Sequence, residues 1–337
     1  MHKSSAACAN LPLAISVRLI ALRRAILIAG LLTVGTARAG LTEGEILVAD
    51  GSAFGGGIIG VDPATGVQTL VSIAGSFARP VAVTGDSPDH AYVVDSQAFG
   101  SGALFRIHVA TGAQVAVSQG GFFVRPAAAV IAASGHVIVV DPAAAGGRGA
   151  LIRIDRNTGT QSILSSGGFF VNPVGIVREP SGTLIVVDRG AAALIRVNPT
   201  TGTQSIVSKG GGWVAPCGVA ALPDLDLTAL DCGLQALFRV NPLTGQQSLM
   251  SIGGLFQGVY GLAVDINGHP IVSDPVARAL FRVNPVSGAQ TVMSLFGYFQ
   301  EPQGMWTIVP EPATLFLSLV FPLILRQRSR SASGGQS

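Results

Sequence analysis

Between residues 46 and 309 the apolar positions fall in short runs of four to six, and no stretch carries the 3.6-residue spacing of an amphipathic helix. One segment shows the pattern. Leu184-Ile185-Val186-Val187 is a continuous apolar run closed by Asp188, Leu194 to Val197 is a second, Gln204 to Val207 a third and Gly218 to Leu222 a fourth. Each reads as a strand, and continuous rather than alternating apolar positions imply strands covered on both faces. The breaks between them are turn chemistry. Asn198-Pro199-Thr200-Thr201-Gly202 sets one φ at proline and frees another at glycine, which suits a tight hairpin.

This unit recurs. Asp50, Asp95, Asp141, Asp188, Asp231 and Asp274 each end a run, at spacings of 45, 46, 47, 43 and 43. A turn glycine follows each: Gly66, Gly112, Gly159, Gly202, Gly245 and Gly288. Pro80, Pro126, Pro173, Pro216 and Pro302 open the next run, with Val259 in the remaining place, and an aromatic stands three residues earlier every time: Phe77, Phe123, Phe170, Trp213, Phe256 and Phe299. Four short strands in about 44 residues form a propeller blade. The pattern predicts an all-β fold, a six-bladed β-propeller of four-stranded antiparallel blades. The first run, Ile46 to Asp50, has the phase of a second strand, and the last, Gly304 to Val309, that of a first strand. The N- and C-terminal strands are therefore expected to share one blade, close the ring and leave no sheet edge.

Composition changes the picture only at the ends. Mean hydropathy is +0.53 and only 12% of residues are charged, values that suggest a membrane protein until position is considered. The formal charge of +3 is likewise terminal: residues 40 to 309 hold 13 basic and 17 acidic side chains. The basic pI is therefore no argument for nucleic acid binding. At the start, Lys3, Arg18, Arg23 and Arg24 precede the apolar run Ala25 to Leu32 and the small-residue pattern Ala37-Arg38-Ala39. Residues 1–39 read as a secretory signal peptide, the alternative being an N-terminal anchor. Residues 40–309 then form the propeller, and residues 310–337 a separate tail.

In that tail Pro310-Glu311-Pro312 is followed by the apolar stretch Leu315 to Leu325 and by Arg326, Arg328 and Arg330. This order resembles the PEP-CTERM sorting signal of Gram-negative bacteria that make exopolysaccharide. The resemblance implies processing by a membrane-embedded exosortase with Pro310, Glu311 and Pro312 as the sorting motif, after a transient transmembrane stage with the basic tail inside. Pro322, within the apolar segment, departs from an uninterrupted span. The repeat itself, Val-Val-Asp, then Arg-Val-Asn-Pro, then Pro-x-Gly-Val, resembles NHL-repeat propellers and the related gluconolactonase-like and streptogramin-lyase-like families. That resemblance implies the fold and names no activity.

Several residue sets could carry chemistry. The six aspartates could form an acidic ring for a cation, or accept backbone N–H bonds where strands turn. Arg106, Arg153, Arg196, Arg239 and Arg282 recur on the following strand, and Asp188 with Arg196 or Asp231 with Arg239 would face each other across a hairpin, worth about 0.2–1 kcal/mol. The six aromatics before the proline positions lie on one rim, where they either present a stacking surface or wedge neighbouring blades apart. His90, His136 and His269 precede Asp-ending strands, as ligands or as exposed turn residues. Gly55-Gly56-Gly57-Ile58-Ile59-Gly60 matches a dinucleotide pattern but joins two strands, so it cradles no phosphate. Cys217 and Cys232 remain once the signal carrying Cys8 is gone, and equal counts outward from Asp224 and Leu225 set them opposite in a regular hairpin. A disulfide is expected in an oxidising compartment, against two unpaired small hydrophobes.

No nucleophile elbow, phosphate loop or metal-binding helix motif occurs, so neither a catalytic residue nor a bound metal or cofactor is assigned. The expectation is an exported propeller at the cell surface or in the exopolysaccharide matrix, acting as a binding or structural module. Its partners would be signal peptidase and exosortase during export and a glycan or protein on the rim. The rival is a lyase or lactonase that uses Ca²⁺ or Mg²⁺ on the same rim.

Overall fold

The computed structural model describes residues 42 to 308, which form six four-stranded sheets around one axis. The chain is a six-bladed β-propeller. Strands β1 (Ile46–Asp50), β2 (Gly57–Val61) and β3 (Gln68–Ile73) take their fourth partner from the far end of the sequence, β24 (Pro302–Thr307). The closing pairs are Ile46↔Thr307, Leu47↔Trp306 and Val48↔Met305. The ladder extends past them, since Ile308 donates its N–H to the Glu45 carbonyl and Gly44 donates to the Ile308 carbonyl. Ring closure thus removes the two edges an open fan of blades would expose.

Each blade is read outward from the axis. Its innermost strand begins at the proline position in four blades, as in Pro80–Gly85, Pro173–Arg178 and Pro216–Ala221, and two residues later in the other two, at Ala128 and Gly261. Strands therefore start one or two residues before the apolar run that betrays them, because proline is tolerated at a first strand position. The second strand ends at the aspartate, and the fourth is the half-exposed outer strand.

Six apolar clusters sit between blades rather than within them. In β1, Leu47 and Ala49 pack against Val83, Val93 and Phe105 of the following blade, while Ile46 and Val48 pack against Ile271 and Leu280 of the preceding one. Alternate side chains of one strand thus enter two different cores. That arrangement is why the runs are continuously apolar.

Neighbouring outer strands are latched by polar side chains in all six interfaces. Gln114 Nε2 donates to Ser72 Oγ at 3.0 Å and to the Ala74 carbonyl at 3.0 Å, and Ser72 Oγ donates to the Gly112 carbonyl at 2.8 Å. The same set joins Gln161 to Ser118, Gln204 to Ser165, Gln247 to Ser208, Gln290 to Ser251 and, across the closure, Gln68 to Ser294. The turn glycine beside each latch is required twice over. Gly202 has φ +72°, and a Cβ there would enter the carbonyl oxygen of Leu164 on the previous blade.

Three of the five repeated arginines serve the same interfaces, which corrects the expected pairing with aspartate. Asp188 stands opposite Ala193 and Arg196 opposite Ile185. Likewise Asp231 faces Ala236 and Arg239 faces Thr228. Arg153, Arg196 and Arg282 instead donate to the Pro199, Pro242 and Pro63 carbonyls of the next blade's turn, at 2.6, 3.0 and 2.7 Å. Arg239 departs from this pattern and binds Asp224 and Asp226 at 2.6 and 3.0 Å.

Candidate binding face

The two ends of a propeller are different surfaces. At one end lie the loops that enter each blade and those that follow each aspartate; the hairpin turns and both ends of the described chain lie at the other. The six aspartates build the first end. All are fully buried, and each carboxylate spans two loops. Asp141 accepts N–H bonds from Val124 and Arg125 of the entering loop, at 2.7 and 2.9 Å, and from Ala143 and Ala144 of the following loop, at 2.9 and 3.0 Å. Asp50 makes the same bonds across the ring closure, to Gln300 and Glu301 on one side and Ser52 and Ala53 on the other. The carboxylates are spent on backbone donors. Among the described residues no group of three or more His, Cys, Asp or Glu side chains that could hold a metal ion is assembled.

The six aromatics at the rim positions are buried, with Phe299 at 0% and Phe77 at 7% exposure. They wedge under the loops: Phe77 meets Phe105 edge-on at 5.3 Å and Trp213 meets Phe238 at 6.5 Å. Exposed aromatics stand beside them. Phe54, Phe99, Phe122, Phe169 and Phe296 are between 47% and 59% exposed, and Val124, Val171, Val214 and Val276 between 53% and 65%. The doublets Phe122-Phe123 and Phe169-Phe170 carried the signal, because one wedge position cannot bury two adjacent rings.

Backbone conformation holds several of these rings outward. The fourth residue after every aspartate is left-handed without being glycine, and at Phe54 and Phe99 it has φ +55° and +53°. Phe296, at φ +54°, occupies a place that four other blades give to glycine. A left-handed non-glycine residue costs on the order of 1 kcal/mol.

Charge is divided between the two ends. Arg79, Arg125, Arg148, Arg189, Lys209 and Arg278 lie on the loop end, where Glu301 is the one acidic side chain outside the buried ring among the described residues. Glu301 pairs with Arg79. The side chains of Arg125 and Arg148 form no hydrogen bond or ion pair among the described residues, and Arg189 Nε is buried without a partner. At the channel mouth Tyr260 is 39% exposed, yet desolvation pushes its hydroxyl above the ordinary phenol range, against the opposing pull of Arg189, Arg79 and Arg125.

Cys217 and Cys232 form a disulfide at this mouth, with Cα atoms 5.8 Å apart. They do not face each other in a regular hairpin. The register jumps from Pro216↔Asp231 to Gly218↔Leu230, which leaves Cys217 as a bulged residue, and Cys232 lies just past its strand. The bulge is what turns Cys217 toward its partner.

The three histidines do not converge. His90 meets His108 edge-on at 5.1 Å, His136 Nδ1 lies 3.0 Å from Ser134 Oγ, and His269 Nδ1 lies 3.5 Å from Asp265 Oδ1. Gly57 to Gly60 of the glycine-rich match are part of β2. No helix among the described residues is long and apolar enough to cross a membrane. Residues 1–39, the sorting motif Pro310, Glu311 and Pro312, and the transmembrane segment expected from Leu315 to Leu325 lie outside the described residues.

The class is therefore a six-bladed propeller with one apolar, cationic loop face. No family model and no curated protein matches the chain. Among solved structures, a chain of the crystal structure of a nidogen/laminin complex is similar, with a TM-score of 0.66 and 14% identity over 79% of this chain and 98% of that one. At that identity the likeness shows the fold alone.

Proposed function

We propose that this propeller is an exported binding module that displays its loop face away from its point of attachment. The exposed ring of Phe54, Phe99, Phe122, Phe169 and Phe296 carries the reading, since apolar residues held outward at a backbone cost mark an interaction surface. Direction supports it. The described chain enters and leaves at the opposite end, where Gly44 meets Ile308, so a tail that anchors the protein would leave the loop face turned outward. The disulfide suits an oxidising compartment. On this reading residues 1–39 are removed by signal peptidase, residues 40–309 are an NHL-type propeller, and residues 310–337 are a PEP-CTERM signal read by an exosortase. Its place is then the surface or matrix of a Gram-negative bacterium. The similar propeller comes from a complex of nidogen with laminin, so peptides are tested beside glycans.

The test is binding of the full chain to arrays of glycans and peptides, with Phe122→Ser/Phe169→Ser as the loop-face variant and Val286→Ser, on an exposed turn of the other end, as its control. Binding lost only in the loop-face variant supports the reading. An absence of binding on both arrays, or equal binding by both variants, refutes it.

A further inference from the structure

The channel mouth is chemically lopsided. Twelve positions surround it: the residue before each of Pro80, Pro126, Pro173, Pro216, Val259 and Pro302, and the residue after each aspartate. In three consecutive blades these include Arg79, Arg125 and Arg189, whereas the next two blades contribute Ala215, Cys232, Gly258 and Pro275. The Arg79 N–H donates to Asp95 and the Arg125 N–H to Asp141, which fixes the backbone of two of these arginines. The third, Arg189, donates its own N–H to the Asn172 carbonyl at 3.0 Å. The sixth blade supplies Glu301, which neutralises Arg79 and leaves Arg125 and Arg189 uncompensated. Arg189 Nε is a buried donor without an acceptor, and across the ring Gln303 Oε1, on the innermost strand β24, is buried without a donor.

A buried guanidinium nitrogen without an acceptor is costly, and an oxyanion is the group that satisfies it, in bidentate fashion when planar. At the opposite end Arg106 and Arg178 form no side-chain hydrogen bond or ion pair among the described residues, but the other arginines are engaged. Arg156 pairs with Asp86, Arg239 with Asp224 and Asp226, and Arg282 with Asp265. That end also holds ten acidic side chains, so an anionic ligand is favoured at the loop end. The surroundings decide what bears the anion. Exposed Phe and Val side chains stand about the mouth beside Gln97, Gln257 and Gln300, and the apolar ones match aliphatic and aromatic side chains of a protein.

We propose that Arg125 and Arg189, with Arg79 and Tyr260 beside them, form a carboxylate site that anchors an Asp or Glu side chain of a protein partner, whose flanking apolar residues rest on Phe122 and Phe169. This rests on the reading of the loop face as a binding surface and names the partner's chemistry. Glu301 faces the same space and opposes the ligand's charge.

The experiment follows fluorescence anisotropy of a labelled oligo-L-glutamate capped with leucine at both ends, with the full chain titrated in. Arg125→Ala/Arg189→Ala should weaken binding by about tenfold or more, added salt should weaken the wild type further, and Arg156→Ala, on the opposite end, should change it by less than about twofold. Glu301→Gln should strengthen binding, because it removes the repulsive carboxylate and releases Arg79. The proposal is overturned if the double arginine variant binds as wild type, if the peptide does not bind, or if Glu301→Gln weakens binding. Polygalacturonate that binds where the peptide does not would assign the mouth to an acidic glycan and overturn the choice of a protein. Loss of binding in Phe122→Ser/Phe169→Ser with full binding in the arginine variant would retain the face and reject the carboxylate site.

Discussion

Replacing Gln68 tests the latch that joins the two ends of the chain. Its Nε2 donates to Ser294 Oγ at 2.9 Å and to the Phe296 carbonyl at 3.0 Å, and its Oε1 accepts from the Tyr298 N–H at 2.7 Å. At about 1 kcal/mol net for each bond, reduced for partial exposure, Gln68→Ala should cost roughly 2 kcal/mol. Gln204→Ala should cost about the same, since Gln204 makes the equivalent bonds to Ser165 Oγ, the Gly167 carbonyl and the Phe169 N–H. Gln68→Glu is the sharper variant. Ser294 Oγ already donates to the Gly66 carbonyl at 2.8 Å, so a carboxylate would face two acceptors and no new donor. Above about pH 5 it should be less stable than Gln68→Ala, with the gap narrowing on acidification. Urea unfolding followed by circular dichroism, with the slope checked for constancy, measures all three. Gln68→Ala within about 0.5 kcal/mol of wild type, or Gln68→Glu as stable as wild type, would refute the latch.

The buried aspartates should be among the costliest positions to change. Asp141→Ala leaves four N–H groups of two loops without an acceptor and should lose upwards of about 4 kcal/mol in the same unfolding assay, whereas Asp141→Asn should lose less. Cys217→Ser/Cys232→Ser opens a link between residues 15 apart and should cost about 3 kcal/mol on the chain-entropy model, seen as a lower urea midpoint. Arg239 beside Asp224 holds that carboxyl below its ordinary 3.8, so its contribution is complete above that value and disappears as pH falls through the lowered one. Asp224→Asn should therefore flatten part of the acid limb of stability against pH, by about 0.5 kcal/mol for a pair this exposed.

The fold was legible because its signals are local and recur six times. The Asp, Gly and Pro positions mark strand ends, and the split phase of Ile46 to Asp50 and Gly304 to Val309 implies a shared blade. What joins blades was harder to see. Gln68 and Ser72, four apart, recur as Gln114 and Ser118 and in every later copy, yet each Gln bonds the Ser of the preceding blade, so periodicity shows the residues but not the pairing. The arginines misled for the same reason: a hairpin argument looks within a blade, whereas Arg196 reaches the next blade's Pro242. The cysteines were recognisable as a pair, but the bulge at Cys217 depends on backbone geometry that residue counting assumes away. Of the candidate face, the buried wedges were visible as a repeat. The exposed rings and the mouth arginines were not, because they occur in only some blades and a search for repeats passes over them.

Hydrogen exchange of the full chain with and without the leucine-capped oligo-L-glutamate tests most directly whether the loop end is the recognition surface. Protection should appear in residues 120–125, 167–172 and 189–192, all at that end. Protection confined to the turns at 62–67, 155–160 and 198–203 would place recognition at the opposite end and contradict the account.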